Sequence, residues 1–134
     1  MSAGEIKNLK ILIVDDDALV VRMLVDFLSR EGSECASAKN GREGFQKVLE
    51  GHFDLILMDI QMPEMNGIDC IRAIRQIDPH VPVLVVSGDP PPVALETLLK
   101  EKENGFLKKP FSPEELAGAI HSLLLQLAPP EGGD

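Results

Sequence analysis

The chain has 134 residues, 44% of them hydrophobic and 26% charged, with a formal charge of −9. That is room for one domain with a real core, and the acidic balance counts against both a nucleic-acid phosphate footprint and an anionic membrane surface, which need clustered Lys and Arg. Cys35 and Cys70, the only cysteines, lack CxxC spacing, so neither a disulfide framework nor a zinc site is expected and a cytoplasmic location follows.

Short apolar runs alternate with amphipathic stretches. Residues 10–14 (KILIV) read as a strand apolar enough to be covered on both faces. Residues 18–30 carry Val20, Val21, Leu24, Phe27 and Leu28 at helical spacing. A weak second strand is expected at 34–38, then a helix at 42–49 ended by Gly51. A buried strand at 54–58 (DLILM) is stopped by Asp59, and residues 62–67 (MPEMNG) have loop chemistry. A third helix is expected at 68–76, a strand at 82–86, a fourth helix at 93–102 and a last strand at 106–108. Ser112-Pro113-Glu114-Glu115 is the clearest helix start: a Ser cap, Pro in the first turn and Glu three residues after the cap. The folded unit is expected over residues 8–127, with a short leading segment at 1–7 and a tail or linker at 128–134.

Five strand–helix pairs imply an α/β fold with a parallel sheet and helices on both faces. In such folds ligands bind beyond the carboxyl ends of the strands. The residues closing the strands are therefore the informative ones: Asp15-Asp16-Asp17 after the first, Asp59 after the third, Ser87 after the fourth, and Lys108-Lys109 before Pro110 after the fifth. Acids on adjacent strands, about 5 Å apart, repel unless a cation sits between them. Hard carboxylate oxygens suit Mg²⁺. A cation, a Lys and a hydroxyl can clamp the oxygens of a transferring phosphoryl group, and a carboxylate on the central strand can receive it as an aspartyl phosphate. That acid is Asp59. Asp17 reads as a helix cap, and alternation with the adjacent Pro110 selects Lys109 over Lys108.

In order and spacing, ILIVDDD, DLILMDIQMPEMNG, VLVVSG and FLKKPF resemble the receiver domain of two-component response regulators, over roughly residues 8–127. The resemblance implies the flavodoxin-like (βα)5 fold with strand order 2-1-3-4-5. It implies Asp59 as phosphoacceptor, Asp15, Asp16, Asp59 and the Gln61 backbone carbonyl as Mg²⁺ ligands, and Ser87 and Lys109 as the phosphoryl clamp. Ser87 and Phe106 become switch residues. Gly67 shapes the loop after the third strand, and the bond before Pro110 becomes cis. The implied partners are a histidine kinase or phosphotransfer protein and a downstream protein or effector domain. Phosphorylation would change the face formed by the fourth helix, fifth strand and fifth helix, where a phosphorylation-dependent homodimer is also admitted. The resemblance implies a signalling phosphoacceptor, not an enzyme acting on an external substrate.

Two departures touch that output face: the run Pro90-Pro91-Pro92, and bulky charged residues at 101–104 where the family usually has small ones. Two other readings remain. One is an interaction module that keeps the pocket without being phosphorylated. The other, more distant, is a hydrolase working through an aspartyl phosphate; such enzymes usually carry a second acid two residues after the nucleophile, where this chain has Gln61. A flavin or nucleotide carrier on the same fold lacks its Gly-rich loop after the first strand.

Overall fold

The structure, a computed structural model, describes residues 6–62, 66–88 and 91–128. The elements run β1 (Lys10–Val14), α1 (Ala18–Arg30), β2 (Glu34–Ala38), α2 (Gly41–Glu50), β3 (Leu55–Asp59), α3 (Gly67–Ile77), β4 (Val83–Ser87), α4 (Val93–Leu99), β5 (Asn104–Lys108) and α5 (Pro113–Leu127). The five strands form one sheet in the order β2-β1-β3-β4-β5, and every paired neighbour is parallel. This is the flavodoxin-like order that the resemblance to receiver domains implies. Among the described residues no helix is long and apolar enough to cross a membrane.

Strand periodicity divides the core in two. Leu12, Val14, Ile56, Met58, Val83 and Val85 point to one face, where they meet Ile71 and Ile74 of α3 and Leu95 of α4. Ile11, Ile13, Leu55, Leu57 and Leu84 point to the other, beneath Leu24 and Leu28 of α1 and Leu116 and Ile120 of α5. β3 and β4 are buried along their whole length, as central strands covered on both sides must be. β2, at the edge, is only partly covered, which explains its weak signal.

Side chains close the helix starts. Asp17 accepts from the Leu19 and Val20 amides at the start of α1, Asn40 from Glu43 at α2, and Asn66 from Asp69 at α3. Ser112 and Glu115 form the reciprocal capping box expected at α5. α4 differs: Pro92 stands at its cap position and supplies no side-chain bond.

Several boundaries move from their expected places for tertiary reasons. Asp59 is the last residue of β3, buried and paired with Val86, rather than the residue that stops the strand. α4 ends at Leu99, and β5 begins two residues earlier than its apolar run suggests. Ile6, left in the leading segment by the sequence reading, is wholly buried with the α1–α5 half of the core. The Ser33 hydroxyl donates to the Ile6 carbonyl and accepts from the Leu9 amide, tying this segment to the α1–β2 turn. The expected loop at 62–67, the Pro90-Pro91-Pro92 run and the expected tail fall partly outside the described residues.

Candidate functional site

The register of β1, β3 and β4 brings the strand-closing residues to one end of the sheet. Asp15 follows Val14, which pairs with Met58, and Asp59 follows Met58. The two acids therefore close adjacent strands, with side chains on the same face by alternation. Asp15 and Asp59 are buried, Asp16 is exposed, and carboxylate oxygens of all three lie within 4.8 Å of one another.

Lys109 is the cation of this cluster. Its Nζ stands 3.4 Å from Asp15 Oδ2 and 3.8 Å from Asp59 Oδ2. Its backbone amide donates to the Ser87 carbonyl at 2.8 Å, which ties the loop after β5 to the end of β4. The Lys109–Pro110 bond is cis. Lys108 is exposed, in keeping with the alternation that separates the two lysines.

Hydrogen bonds hold the acids in place. The Asp17 amide donates to Asp15 Oδ1 at 2.9 Å, and the Gln61 amide donates to Asp59 Oδ1 at 3.0 Å. Burial raises the pKa of Asp59 above the ordinary carboxylate value. The Gln61 amide and Lys109 oppose that shift, while Asp15 and Asp16 add to it. A buried acid with two acidic neighbours and one lysine gains from a further cation. The donor set fits Mg²⁺: three hard carboxylates, one of them open to water, which the ion can retain as ligand. Gln61 is exposed, and its backbone amide is what it gives to Asp59.

Ser87 and Phe106 belong to the neighbouring strands. Asp59 pairs with Val86, so Ser87 lies one residue beyond it on β4 and is fully buried. Val85 pairs with Phe106, which packs half-buried against the α3–α4 side of the core. Ser87 and Phe106 share that side by alternation, whereas Asp15, Asp59 and Lys109 share the other.

Gly67, the first residue of α3, explains how close this helix comes. A Cβ there would stand 2.5 Å from Ile60 Cα and 2.6 Å from the Asp59 carbonyl oxygen. No side chain fits. Gly44 of α2 has a related role that sequence reasoning missed: a Cβ would meet Val14, the residue before Asp15, at 2.9 Å. The GREGF run of α2 offers its small residue without saying which strand it meets.

Sequence comparison supplies the family. Residues 11–121 match the response regulator receiver domain family, which is most of the chain. The chain belongs to the response regulator receiver domain family. It is 39% identical over 115 residues to the chemotaxis protein CheY of Thermotoga maritima, an alignment covering 85% of this chain and 96% of that protein. It is 35% identical to the DNA-binding response regulator MtrA of Mycolicibacterium paratuberculosis, covering 86% of this chain but 51% of MtrA. The chain thus spans about half the length of MtrA and nearly all of the Thermotoga CheY. Among solved structures, the chemotaxis protein CheY4 of Vibrio cholerae superposes with a TM-score of 0.80 at 30% identity, over 87% of this chain and 98% of that one. A CheY-like receiver from Methanospirillum hungatei gives 0.80 at 28% identity, over 90% of this chain and 97% of that one. Receivers of this family typically bind Mg²⁺ at an acidic pocket, and here Asp15, Asp16 and Asp59 form an acidic cluster.

Proposed function

We propose that the chain is a phosphoacceptor receiver that takes a phosphoryl group onto Asp59 from a histidine kinase or a phosphotransfer protein. The observation that carries this reading is Lys109 Nζ placed within 4 Å of both Asp15 and Asp59 at the closed end of adjacent strands. An oxygen of Asp59 attacks the phosphorus of the donor's phosphohistidine. The new P–O bond replaces the P–N bond, and the imidazole leaves with a proton from water. Asp15, Asp16, Asp59 and the Gln61 carbonyl would hold Mg²⁺, which supplies positive charge against the phosphoryl oxygens when bound.

Lys109 then changes partners. Its ammonium, shared between two carboxylates in the resting protein, pairs with a phosphoryl oxygen once Asp59 is esterified. The Ser87 hydroxyl donates to another phosphoryl oxygen, and Phe106 moves further into the α3–α4 side of the core. The face formed by α4, β5 and α5 carries the change to a downstream partner as a shift between two populations. The folded unit of this reading is residues 8–127 with Ile6 added, and a cytoplasmic setting accords with two unpaired cysteines.

The donor's approach is marked by exposed apolar side chains beside the acids. Leu19 and Met23 on α1 are 71% and 69% exposed. Met23 also lines an apolar groove with Val20, Leu24, Lys109, Pro110 and Phe111. Lys109 belongs to both groove and acid cluster, so a protein seated there reaches Asp59.

The test is intact mass after incubation with acetyl phosphate. One phosphoryl adduct that requires Mg²⁺ and is absent from Asp59→Asn is the expected result. An adduct that persists in Asp59→Asn would overturn the assignment of the acceptor.

A further inference from the structure

β2 is an edge strand, and the phosphoacceptor chemistry makes no use of it. Among the described residues only β1 pairs with it. The Glu34 amide donates to the Leu9 carbonyl at 2.8 Å, and the Ala38 carbonyl accepts from the Asp15 amide at 3.0 Å. Glu34, Ala36 and Ala38 therefore turn their backbone groups toward β1. By alternation the N–H and C=O groups of Cys35 and Ser37 point away from the sheet.

Edges of this kind are usually guarded by Pro, by a bulge or by charges along the strand. Residues 34–38 (ECASA) hold no Pro, and the three middle residues are small and uncharged. Glu34 and Ser37 are exposed, and Cys35 and Ala36 are half-buried. Beside the end of the strand lies an open cavity of about 370 Å³ with Val21, Ser37, Ala38 and Lys39 in its walls.

We infer that the outer edge of β2 pairs antiparallel with the same edge of a second copy of this chain. With a two-fold axis through Ala36, Cys35 of each copy stands opposite Ser37 of the other. Each of these pairs then exchanges both of its outward N–H···O bonds. Ala36 faces its own counterpart as a non-hydrogen-bonded pair, the closest kind, at about 4.5 Å between Cα atoms. A small side chain suits that place. The charges match as well. Exposed Glu34 opens the strand and exposed Lys39 follows it, so antiparallel pairing sets Glu34 of each copy beside Lys39 of the other. A parallel copy would set Glu34 beside Glu34. Each chain carries a formal charge of −9, so the copies repel at long range and salt screens that repulsion. The ladder is short, so the dimer is weak and forms with rising concentration. None of this depends on the phosphoacceptor reading.

Sedimentation of the full chain, from low micromolar to about millimolar concentration, tests the pairing. A dimer that grows with concentration, and grows more at moderate than at low salt, is expected. Ser37→Pro removes an outward donor and leaves the bonds of Ala36 and Ala38 to β1 in place. It should remain monomeric while taking up acetyl phosphate as wild type does. A wild-type monomer at every concentration would overturn the second copy as occupant and leave the edge to a strand of another protein. A dimer undiminished in Ser37→Pro would place the contact on another face and also overturn the inference. Cysteine cross-linking decides the matter should Ser37→Pro fail to fold. In a Cys35→Ser background, oxidation should join Ala36→Cys chains about tenfold faster than Glu34→Cys chains, because residue 34 and its counterpart stand about 13 Å apart along the strands. Random collision favours the more exposed position 34, so equal rates or the reverse order would overturn the register.

Discussion

Asp59 is held at an electrostatic cost, as a carboxylate buried beside two other acids. Its pKa is raised mainly by burial. A carboxylate whose folded pKa lies above its unfolded value keeps its full contribution to stability below the unfolded pKa and loses it as pH rises through the folded one. Asp59→Asn, neutral at every pH, should therefore melt at a higher temperature than wild type at pH 7 in the presence of a chelator. The two melting curves should converge as pH falls toward the ordinary carboxylate value, about 4. Thermal unfolding across that range checks this, and a lower melting temperature for Asp59→Asn at pH 7 would contradict it.

Gly67 gives a second residue-scale test. Adding a methyl group forces the Asp59–Ile60 backbone aside, so Gly67→Ala should destabilise the protein by about 1–3 kcal/mol. It should also slow acetyl phosphate uptake by roughly tenfold or more, because the reacting carboxylate is displaced. Gly118 of α5 is the control. A Cβ there meets nothing within 4 Å, so Gly118→Ala should raise stability by about 0.5–1 kcal/mol and leave uptake unchanged.

At the scale of elements, local signals were strongest where a side chain acts on its own neighbours. The capping box at Ser112 and the aspartate cap at Asp17 are visible as short patterns, and both are present. Asp15, Asp59 and Lys109 could be singled out because a parallel sheet brings the ends of its strands together, and the structure does bring these three together. The end of α4 could not be read, because Asn104 donates to the Leu98 carbonyl from six residues away and Arg75 of α3 donates to the Asn104 side chain. Ile6 was hidden for the same reason. An isolated apolar residue in a polar leader has no periodicity, and only the turn at Gly32 and Ser33 shows where it lodges. Ile6→Ala should cost about 2–5 kcal/mol in chemical denaturation. A change within experimental error would mean that the leading segment is not part of the folded core.

At the scale of the whole molecule, the sheet separates two tasks. Its carboxyl end gathers charge: three acids and one lysine. At its opposite end Arg75 and the buried Asn104 amide join α3, the end of α4 and β5. The apolar surface of α1 stands beside the charged end, where a protein donor would approach but a small phosphodonor needs no dock. Met23→Lys should therefore reduce transfer from a phosphohistidine-bearing protein by about tenfold or more while acetyl phosphate uptake stays as in wild type. Equal loss with both donors would show that the substitution acts on the acid site itself. The parallel sheet was legible from the alternation of strands and helices, while its strand order followed only from the family resemblance that the strand-end motifs carry. The surface of α1 was not, because exposed apolar residues on a helix are spaced like buried ones until its packing is known.

The central claim is that Asp59 receives the phosphoryl group. Borohydride reduces an aspartyl phosphate to homoserine, so treating the phosphorylated protein and mapping its peptides locates the acceptor directly. Homoserine at position 59, formed only with Mg²⁺ and a phosphodonor, is the result this account predicts. Homoserine at position 15 or 16 instead, or unmodified Asp59 in a protein whose intact mass shows the adduct, would contradict it.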